Sequence, residues 1–407
     1  MNRPPLRPLD DALAALLAHA RPLATEQVDT FDADGRVLAQ DLVSELHVPP
    51  HDNSAMDGYA LRAADAAVAG AELPVSQRIA AGAVPAPLLP GTAARIFTGA
   101  PMPAGADTVV IQEDTESLQD GSRVRFTAPA RPDQSVRRAG EDVARGQTVL
   151  RAGERLGPAA LGLAAGIGAA RLTVSRRPRV ALFSTGDELV MPGTVPPSQL
   201  PPGAIYNSNR FFLRALLGRF GCEVSDVGIV PDRRDATIEA LRAAAAGSDL
   251  VLTSGGVSVG EEDHVRPAVE ALGSLDLWQI ALKPGKPFAY GRVEQAHFIG
   301  LPGNPVSSFV TFLVLVRPFL LRLQGLRDVA PRGYLLPAHF DWPRADKRRE
   351  FLRASRNAEG GLELFAHQGS GVLTSAAQTE GLVDNLPGRT IARGDLVRFL
   401  PFAELLG

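Results

Sequence analysis

The feature that most restricts this chain is an apolar strand that runs straight into a glycine loop: Asp249-Leu-Val-Leu-Thr-Ser-Gly-Gly-Val-Ser-Val-Gly-Glu-Glu-Asp-His264. Asp249 to Thr253 has the short apolar character of a strand buried in a parallel sheet. Ser254, Gly255, Gly256, Ser258 and Gly260 follow at once, so backbone N–H groups and hydroxyls approach a ligand closely, and a helix starting near Asp263 adds its positive end. Such a loop suits an anion. The carboxylates Glu261, Glu262 and Asp263 at its far edge repel a bare phosphate unless a hard cation such as Mg2+ lies between, so the stretch reads as a phosphate-plus-metal site.

The surrounding chain repeats the same rhythm from Arg179 onward. Val180 to Phe183 opens into Ser184-Thr-Gly-Asp-Glu188, a helix is predicted from about Ser208 to Phe220, and Glu223 to Val230 ends at Pro231-Asp232. A helix near Asp235 to Ala246 precedes the opening stretch, and His297 to Leu301 later leads through Pro302-Gly-Asn-Pro305 into an apolar run, Val306 to Val316. Strands alternating with amphipathic helices argue for a doubly wound sheet. The polar loops all follow predicted strands, and in an open α/β sheet those carboxyl ends line one crevice where ligands bind. Lys283-Pro-Gly-Lys286-Pro follows a predicted strand, Leu277 to Leu282, and reads as a stiff cation pair that compensates an anion there.

At 407 residues the chain is too long for one core, which points to two to four domains. A formal net charge of −3 gives no general attraction to nucleic acid or to a membrane surface. The single cysteine, Cys222, rules out a disulfide framework and fits a reducing cytosol. No targeting segment is evident: Asp10 and Asp11 interrupt the N-terminus, and Asp10 to His19 reads as a short amphipathic helix. Val306 to Val316 is broken by Arg317 and Pro318, falls short of the roughly 20 residues that cross a bilayer, and reads as a buried helix.

Outside the α/β segment the chain is strand-rich. Ala94 to Thr98, Thr108 to Gln112 and Arg123 to Thr127 are predicted strands between Pro/Gly turns, and after Gly325 the segments around Glu350, Gly361 and Asp395 suggest a small β-barrel. Pro158 to Gly168 is predicted helical and is taken to pack against the N-terminal helix, which makes the first domain discontinuous. Taken alone, Met56-Asp57-Gly58-Tyr59 is a capped turn, Arg137 to Asp142 a solvated charge run, and Arg353 and Gly369 to Ser375 surface features. Gly256-Val-Ser-Val-Gly260 matches Gly-x-Ser-x-Gly, but Ser254 and Gly255 separate it from its strand and no triad acid is placed for it. Walker A and His-Glu-x-x-His patterns are absent, and the scattered histidines, His264 included, offer no zinc site.

Taken together, Asp52-Asn-Ser-Ala-Met-Asp-Gly-Tyr59, Thr98-Gly-Ala-Pro-Met-Pro, Arg137-Arg-Ala-Gly-Glu-Asp142, Ser184-Thr-Gly-Asp-Glu-Leu189, Thr253 to Gly260, Lys283 to Phe288 and Gly300-Leu-Pro-Gly-Asn-Pro-Val-Ser307 resemble, in order, the molybdopterin molybdenumtransferases, the MoeA and gephyrin E-domain family. The resemblance implies a discontinuous N-terminal dimerising domain (1–45 and 143–177), a β-rich insertion (46–142), a molybdopterin-binding α/β domain (178–326) and a C-terminal β-barrel (327–407). It also implies a cytoplasmic homodimer that inserts molybdate into adenylyl-molybdopterin with loss of AMP, usually with Mg2+. Molybdopterin adenylyltransferase then stands upstream and molybdenum enzymes downstream.

Carried onto this chain, the resemblance makes Thr98, Glu188, Ser254, Gly255, Gly256, Ser258, Pro302, Pro305 and Ser375 substrate contacts. Asp232, Asp263 and Glu188 become metal ligands, and Lys283 and Lys286 attract molybdate and the leaving phosphate. Asp57 and Asp142 reach in from the partner subunit. Two departures stand out: Gln279 occupies a position where many relatives carry a basic residue, and Gln378-Thr-Glu-Gly381 replaces Ala-Asn-Gly or Ala-Asp-Gly. The rival readings are an adenylyltransferase acting one step earlier and a non-catalytic scaffold.

Overall fold

The computed structural model describes residues 6–231, 233–256 and 264–406. Within the first unit Thr25–Asp29 pairs antiparallel with Arg171–Ser175, and Leu42–Val43 with Thr148–Leu150. Val48 and Val143 bridge each other where the chain leaves this unit and returns. Two strands so close at their ends allow a whole domain to be inserted between them without disturbing either.

The inserted residues form a six-stranded sheet in the order Thr108–Ile111, Gly58–Leu61, Ala93–Ile96, Glu72–Ile79, Arg123–Phe126, Thr115–Leu118. Tyr59, Leu61, Val110, Val124 and Phe126 bury their side chains on one side of it. Gly58 lies so close to the neighbouring strand that a β-carbon built there would overlap the Val110 carbonyl. That contact fixes the backbone on either side of it.

The α/β sheet runs Glu223–Val230, Arg179–Thr185, Leu250–Ser254, Ala296–Leu301, Pro287–Val293, Gly273–Gln279. Its first four strands are parallel, and the last two reverse and reverse again. The period of two in the strands sorts their side chains: Val180, Leu182, Leu250 and Leu252 enter one core, Ala181, Phe183 and Val251 the other. Asn209–Arg219 covers the first face, Arg234–Ala245 and Val265–Leu272 the second. Layers on both sides of a mainly parallel sheet are what the continuous apolar strands demanded.

Two helices differ from the sequence reading. Leu9–His19 does not join Pro158–Gly166; its Leu9, Ala12 and Leu16 stripe is buried in the first α/β core, while Pro158–Gly166 packs with Leu38, Leu150 and Leu172. Arg7 ties this helix down, donating its backbone N–H to Gln279 O and accepting from Ala281 N, both at 2.7 Å. The apolar run also does not stop at Arg317 and Pro318. Pro305–Thr311, a π-helical turn at Phe312–Val316 and Arg317–Leu323 form one 19-residue helix, because the wider turn absorbs the hydrogen bond that Pro318 cannot make. By length and composition it passes as a membrane span, yet 89% of it is buried inside the protein, as a core helix is.

The C-terminal strands close on themselves. Arg349–Arg356 pairs with Gly381–Asn385, which pairs with Leu396–Pro401 and that with Tyr334–Pro337. Ala338, next after Tyr334–Pro337, bridges Leu362, and Leu362–Leu364 returns to Arg349–Arg356. The ring encloses Leu352, Ala354, Val383 and Phe399, so the expected barrel is present. Gly58→Ala is expected to destabilise the protein by about 2–4 kcal/mol, lowering its urea midpoint while the urea dependence of the transition stays unchanged.

Candidate functional site

The strands Arg179–Thr185, Leu250–Ser254 and Ala296–Leu301 end level with one another, because their register sets Ser184 beside Ser254 and Ser254 beside Leu301. Gly255 N–H donates to Leu301 O at 3.0 Å, and the chain then turns at Gly256 with φ +65°. A β-carbon at Gly256 would collide with the Val265 side chain and sit 2.8 Å from Thr185 Oγ1. Only glycine lets the loop lie against both.

A third wall comes from the opposite helix. Asn209 Nδ2 donates to Gly303 O at 2.8 Å, and a β-carbon on Gly303 would lie 3.9 Å from Gly255 Cα. The Pro302–Pro305 loop therefore leans on the glycine loop, and Pro302 is buried while Gly303 and Asn304 stay exposed. Glu188 lies exposed in the first of these loops, its carboxylate folded back over Gly186. Ser184, Glu188, Ser254, Gly255, Gly256, Pro302 and Pro305 are thus brought to one sheet edge. Asp232, Ser258 and Asp263 lie outside the described residues.

Around this edge several buried polar atoms have no hydrogen-bond partner among the described residues: Ser184 Oγ, Thr253 Oγ1, Asn207 Nδ2 and Asn209 Oδ1. Asn207 is only 2% exposed and Asn209 8%. Buried polar groups are nearly always hydrogen-bonded, and leaving one unpaired costs about 1–3 kcal/mol. Register sets Thr253 beside Phe183, on the face opposite Ser184, so these polar atoms lie on both faces of the sheet at the strand ends that carry the glycine cradle. Sequence reading passed over Asn207 and Asn209, although an Asn-Ser-Asn turn opening a helix that faces the crevice was the available signal.

Lys283 departs from the expected free cation pair. The predicted strand Leu277 to Leu282 is instead Gly273–Gln279, and Leu282–Lys283 is a separate short strand that pairs parallel with Arg349 and Glu350 of the barrel. This pairing turns the lysine toward the barrel, where Nζ lies 2.9 Å from Glu350 and 3.2 Å from Asp346. Glu350 is 1% exposed and also accepts from Trp342 Nε1 at 2.9 Å. Burial pulls the Lys283 ammonium toward neutrality, but the hydrogen bonds it donates to Glu350 and Asp346 reverse this and raise its pKa above the ordinary lysine value. The Arg348 guanidinium, bonded to Asp346, holds that carboxyl well below the usual carboxylate range. Lys283 and Arg348 against Asp346 and Glu350 leave no net charge, so the Lys283 charge is spent on joining two domains. Lys286, half-buried on the same turn, has no carboxylate partner among the described residues.

The barrel also reaches the crevice directly. Val306 N–H, at the start of the core helix, donates to Ser370 O at 2.9 Å. Behind that contact Arg353 and Ser375 are buried, not surface residues: Arg353 Nε donates to Ser375 Oγ at 3.1 Å, and Ser375 Oγ donates to Val372 O at 2.6 Å. Burial lowers the Arg353 pKa to about 10. Ser375, expected as a substrate contact, spends its hydroxyl shaping the loop.

In the inserted domain Asp57 and Thr98 meet. Thr98 donates both its backbone N–H, at 2.8 Å, and its hydroxyl, at 2.7 Å, to Asp57 Oδ1. These bonds, with a smaller effect from Arg95, lower the Asp57 pKa. Asp142 is exposed, its backbone N–H bound to Val48 O at 3.1 Å. The Asp57 carboxylate thus bonds within the inserted domain, and Asp142 is held by its backbone at the root of that domain.

Three family models match the chain: "MoeA N-terminal region (domain I and II)" over residues 7–168, "Probable molybdopterin binding domain" over 181–322, and "MoeA C-terminal region (domain IV)" over 336–402. A molybdopterin molybdenumtransferase of Haemophilus influenzae is 39% identical over 407 residues, covering 98% of this chain and 99% of its own. One of a Nostoc species is 39% identical over 88% of this chain and 84% of its own. A crystal structure of a molybdopterin biosynthesis MoeA protein from Pyrococcus horikoshii matches with a TM-score of 0.84 at 29% identity, over 98% of this chain and 100% of that one.

Removing the cation of the interdomain clasp leaves the buried Glu350 with the neutral donors Trp342 Nε1 and Asn385 Nδ2 but without the Lys283 charge. Lys283→Met is expected to lose about 1–3 kcal/mol in chemical denaturation, and a second change, Glu350→Gln, to restore part of it. The pH dependence has a definite sign. Asp346 has a folded pKa below its unfolded one, so its contribution is complete above about pH 5 and is lost on acidification; Lys283 has a raised folded pKa, so its contribution is complete below about pH 10 and is lost as pH rises through the folded value. The wild-type minus Lys283→Met difference should therefore be flat between these limits.

Proposed function

We infer the reaction from the premise that this chain belongs to the MoeA family of molybdopterin molybdenumtransferases and is a transferase of molybdenum cofactor biosynthesis. On that footing it inserts molybdate into adenylyl-molybdopterin: the dithiolene sulfurs of the pterin take the molybdenum and AMP leaves. The observation that carries this reading is the set of buried polar atoms on Ser184, Thr253, Asn207 and Asn209, unpaired among the described residues, at the strand ends that carry the glycine cradle. A pterin and a diphosphate are rich in donors and acceptors that such atoms can bond.

The difficulty in the reaction is that a dianion must approach a diphosphate. Lys286, without a carboxylate partner among the described residues, lowers that barrier, since a preorganised charge acts without reorganising. Pro302–Pro305 and Gly255 confine the substrate from two sides, which limits its motion at the reacting atoms. Mg2+ would neutralise diphosphate charge. Glu188, in the loop after Arg179–Thr185, is the described carboxylate assigned to it, and Asp232 and Asp263 complete the proposed ligand set. Among the described residues no group of three His, Cys, Asp or Glu side chains gathers to hold a metal elsewhere.

Asp57 and Asp142 act, in this reading, on the crevice of a second subunit. Support for a homodimer comes from apolar surface on the first unit: Phe31 is 95% exposed, Val43 and Leu46 are also exposed, and Pro158–Gly166 buries only Ala164 despite its apolar sequence. Exposed apolar area of this kind marks contact surfaces. Molybdopterin adenylyltransferase supplies the substrate and molybdenum enzymes take the product, in the cytoplasm, where a lone thiol such as Cys222 stays reduced.

Purified protein given adenylyl-molybdopterin, molybdate and Mg2+ should release one AMP per molybdenum captured, and excess EDTA should stop release. Thr253→Val, which removes one unpaired hydroxyl at constant shape, should raise KM for adenylyl-molybdopterin about tenfold with a melting temperature no lower than that of the wild type. Release of pyrophosphate from ATP in place of AMP, or AMP release indifferent to molybdate, would overturn the reading.

A further inference from the structure

We propose that Arg95 is the positioning residue of the Asp57–Thr98 pair: it grips the chain on both sides of the pair and so presents one carboxylate oxygen of Asp57 to the reacting groups. The inference rests on Asp57 acting in the reaction proposed above. Nothing in the family motifs quoted earlier includes Arg95, which lies three residues before Thr98.

Arg95 stands directly opposite Tyr59 across the antiparallel pairing of Gly58–Leu61 with Ala93–Ile96. Its Nη1 donates to Gly58 O at 2.9 Å, the residue after Asp57. Its Nη2 donates to Gln112 Oε1 at 2.8 Å, and Gln112 returns its backbone N–H to Asp57 O at 3.0 Å. The guanidinium lies 4.8 Å from the ring centre of Phe97, the residue before Thr98, and 5.1 Å from that of Tyr59. Arg78, from the adjacent strand, lies 4.7 Å from the Phe97 ring and pins it further.

One side chain thus fixes the residue after Asp57, a residue bonded to Asp57, and the residue before Thr98. A guanidinium is suited to this, because its planar fork makes two directed bonds while its faces stack on rings. Gly58 cannot shift in response, since it is already packed on the Val110 carbonyl. The outcome is directional. Both Thr98 bonds end on Oδ1 of Asp57, and among the described residues Oδ2 takes no hydrogen bond. Oδ2 is the oxygen left for a substrate oxygen or a water. The positive charge of Arg95 also favours the ionised carboxylate, which is the form that accepts a proton or orders a water.

Arg95 makes no salt bridge within the described residues. A strand arginine kept only for solubility would not need one bond to the Gly58 carbonyl, one to the Gln112 side chain and two rings. Its removal should therefore act on turnover more than on folding or on substrate affinity.

The test is steady-state AMP release by full-length Arg95→Met, Arg95→Lys, Thr98→Ala, Asp57→Asn and the double variant Arg95→Lys/Thr98→Ala, each checked by melting temperature. Arg95→Met should lower kcat at least about tenfold with KM for adenylyl-molybdopterin within about twofold. Arg95→Lys should recover little, since one ammonium cannot reach Gly58 O and Gln112 Oε1 while stacking on both rings. Added to Thr98→Ala, it should lower kcat by less than it does alone, because the pair it positions is already broken. If Arg95→Met does not fold, Arg95→Lys and its double variant decide. Full kcat in Arg95→Lys and Arg95→Met alongside an inactive Asp57→Asn overturns this inference and leaves the proposed function standing. Independent, multiplicative losses in the double variant overturn it equally. Full activity in Asp57→Asn removes the role of Asp57 itself.

Discussion

The crevice depends on one backbone approach that leaves no room for a side chain. Gly256 turns with positive φ while wedged between Val265 and the Thr185 hydroxyl, so the ends of Arg179–Thr185 and Leu250–Ser254 meet in physical contact. Because Gly255 is bonded to Leu301 O, the same approach fixes the loop that follows Ala296–Leu301. Three loops from three strands are therefore located by each other rather than by solvent. That is why buried hydroxyls and amides can remain unpaired there: the frame around them is rigid enough not to collapse onto them.

From this frame the account extends outward through interdomain bonds. The parallel pairing of Leu282–Lys283 with the barrel strand carries the sheet edge into the next domain, and the Lys283, Glu350, Asp346 and Arg348 set balances its own charge. Val306 N–H on Ser370 O then brings the barrel loop to the helix that begins at the crevice. A buried carboxylate such as Glu350 is tolerable only because a cation from the other domain meets it. The two lysines of one short turn therefore differ: Lys283 joins domains, and Lys286 has no carboxylate partner among the described residues.

Local periodicity made much of this readable in advance. The apolar strands at Val180 and Leu250, their glycine ends and the helices between them follow from side-chain alternation and turn chemistry, and the chain order of seven short motifs pointed to the family. Features set by distant partners were not readable. Lys283 and Glu350 are 67 positions apart and nothing local marks their pairing. The partner of Leu9–His19 was misjudged because an amphipathic stripe says that a helix is covered, not by what. Pro318 was read as a stop because proline usually is one; a π-helical turn just before it removes the conflict. Arg353 and Ser375 carry polar side chains that composition places at a surface, and only the barrel closure buries them. Asn207 and Asn209 looked like ordinary helix-start residues until their unpaired amide atoms were located at the crevice edge.

The central claim is that a polar pterin nucleotide completes the bonds left open around the glycine cradle. A crystal structure of the protein with adenylyl-molybdopterin tests this most directly. The account predicts ligand density against Gly255 and Gly256, with ligand atoms within hydrogen-bond distance of at least two among Ser184, Thr253, Asn207 and Asn209. Density confined to the barrel or to the inserted domain, with those four atoms still unpaired, would contradict it.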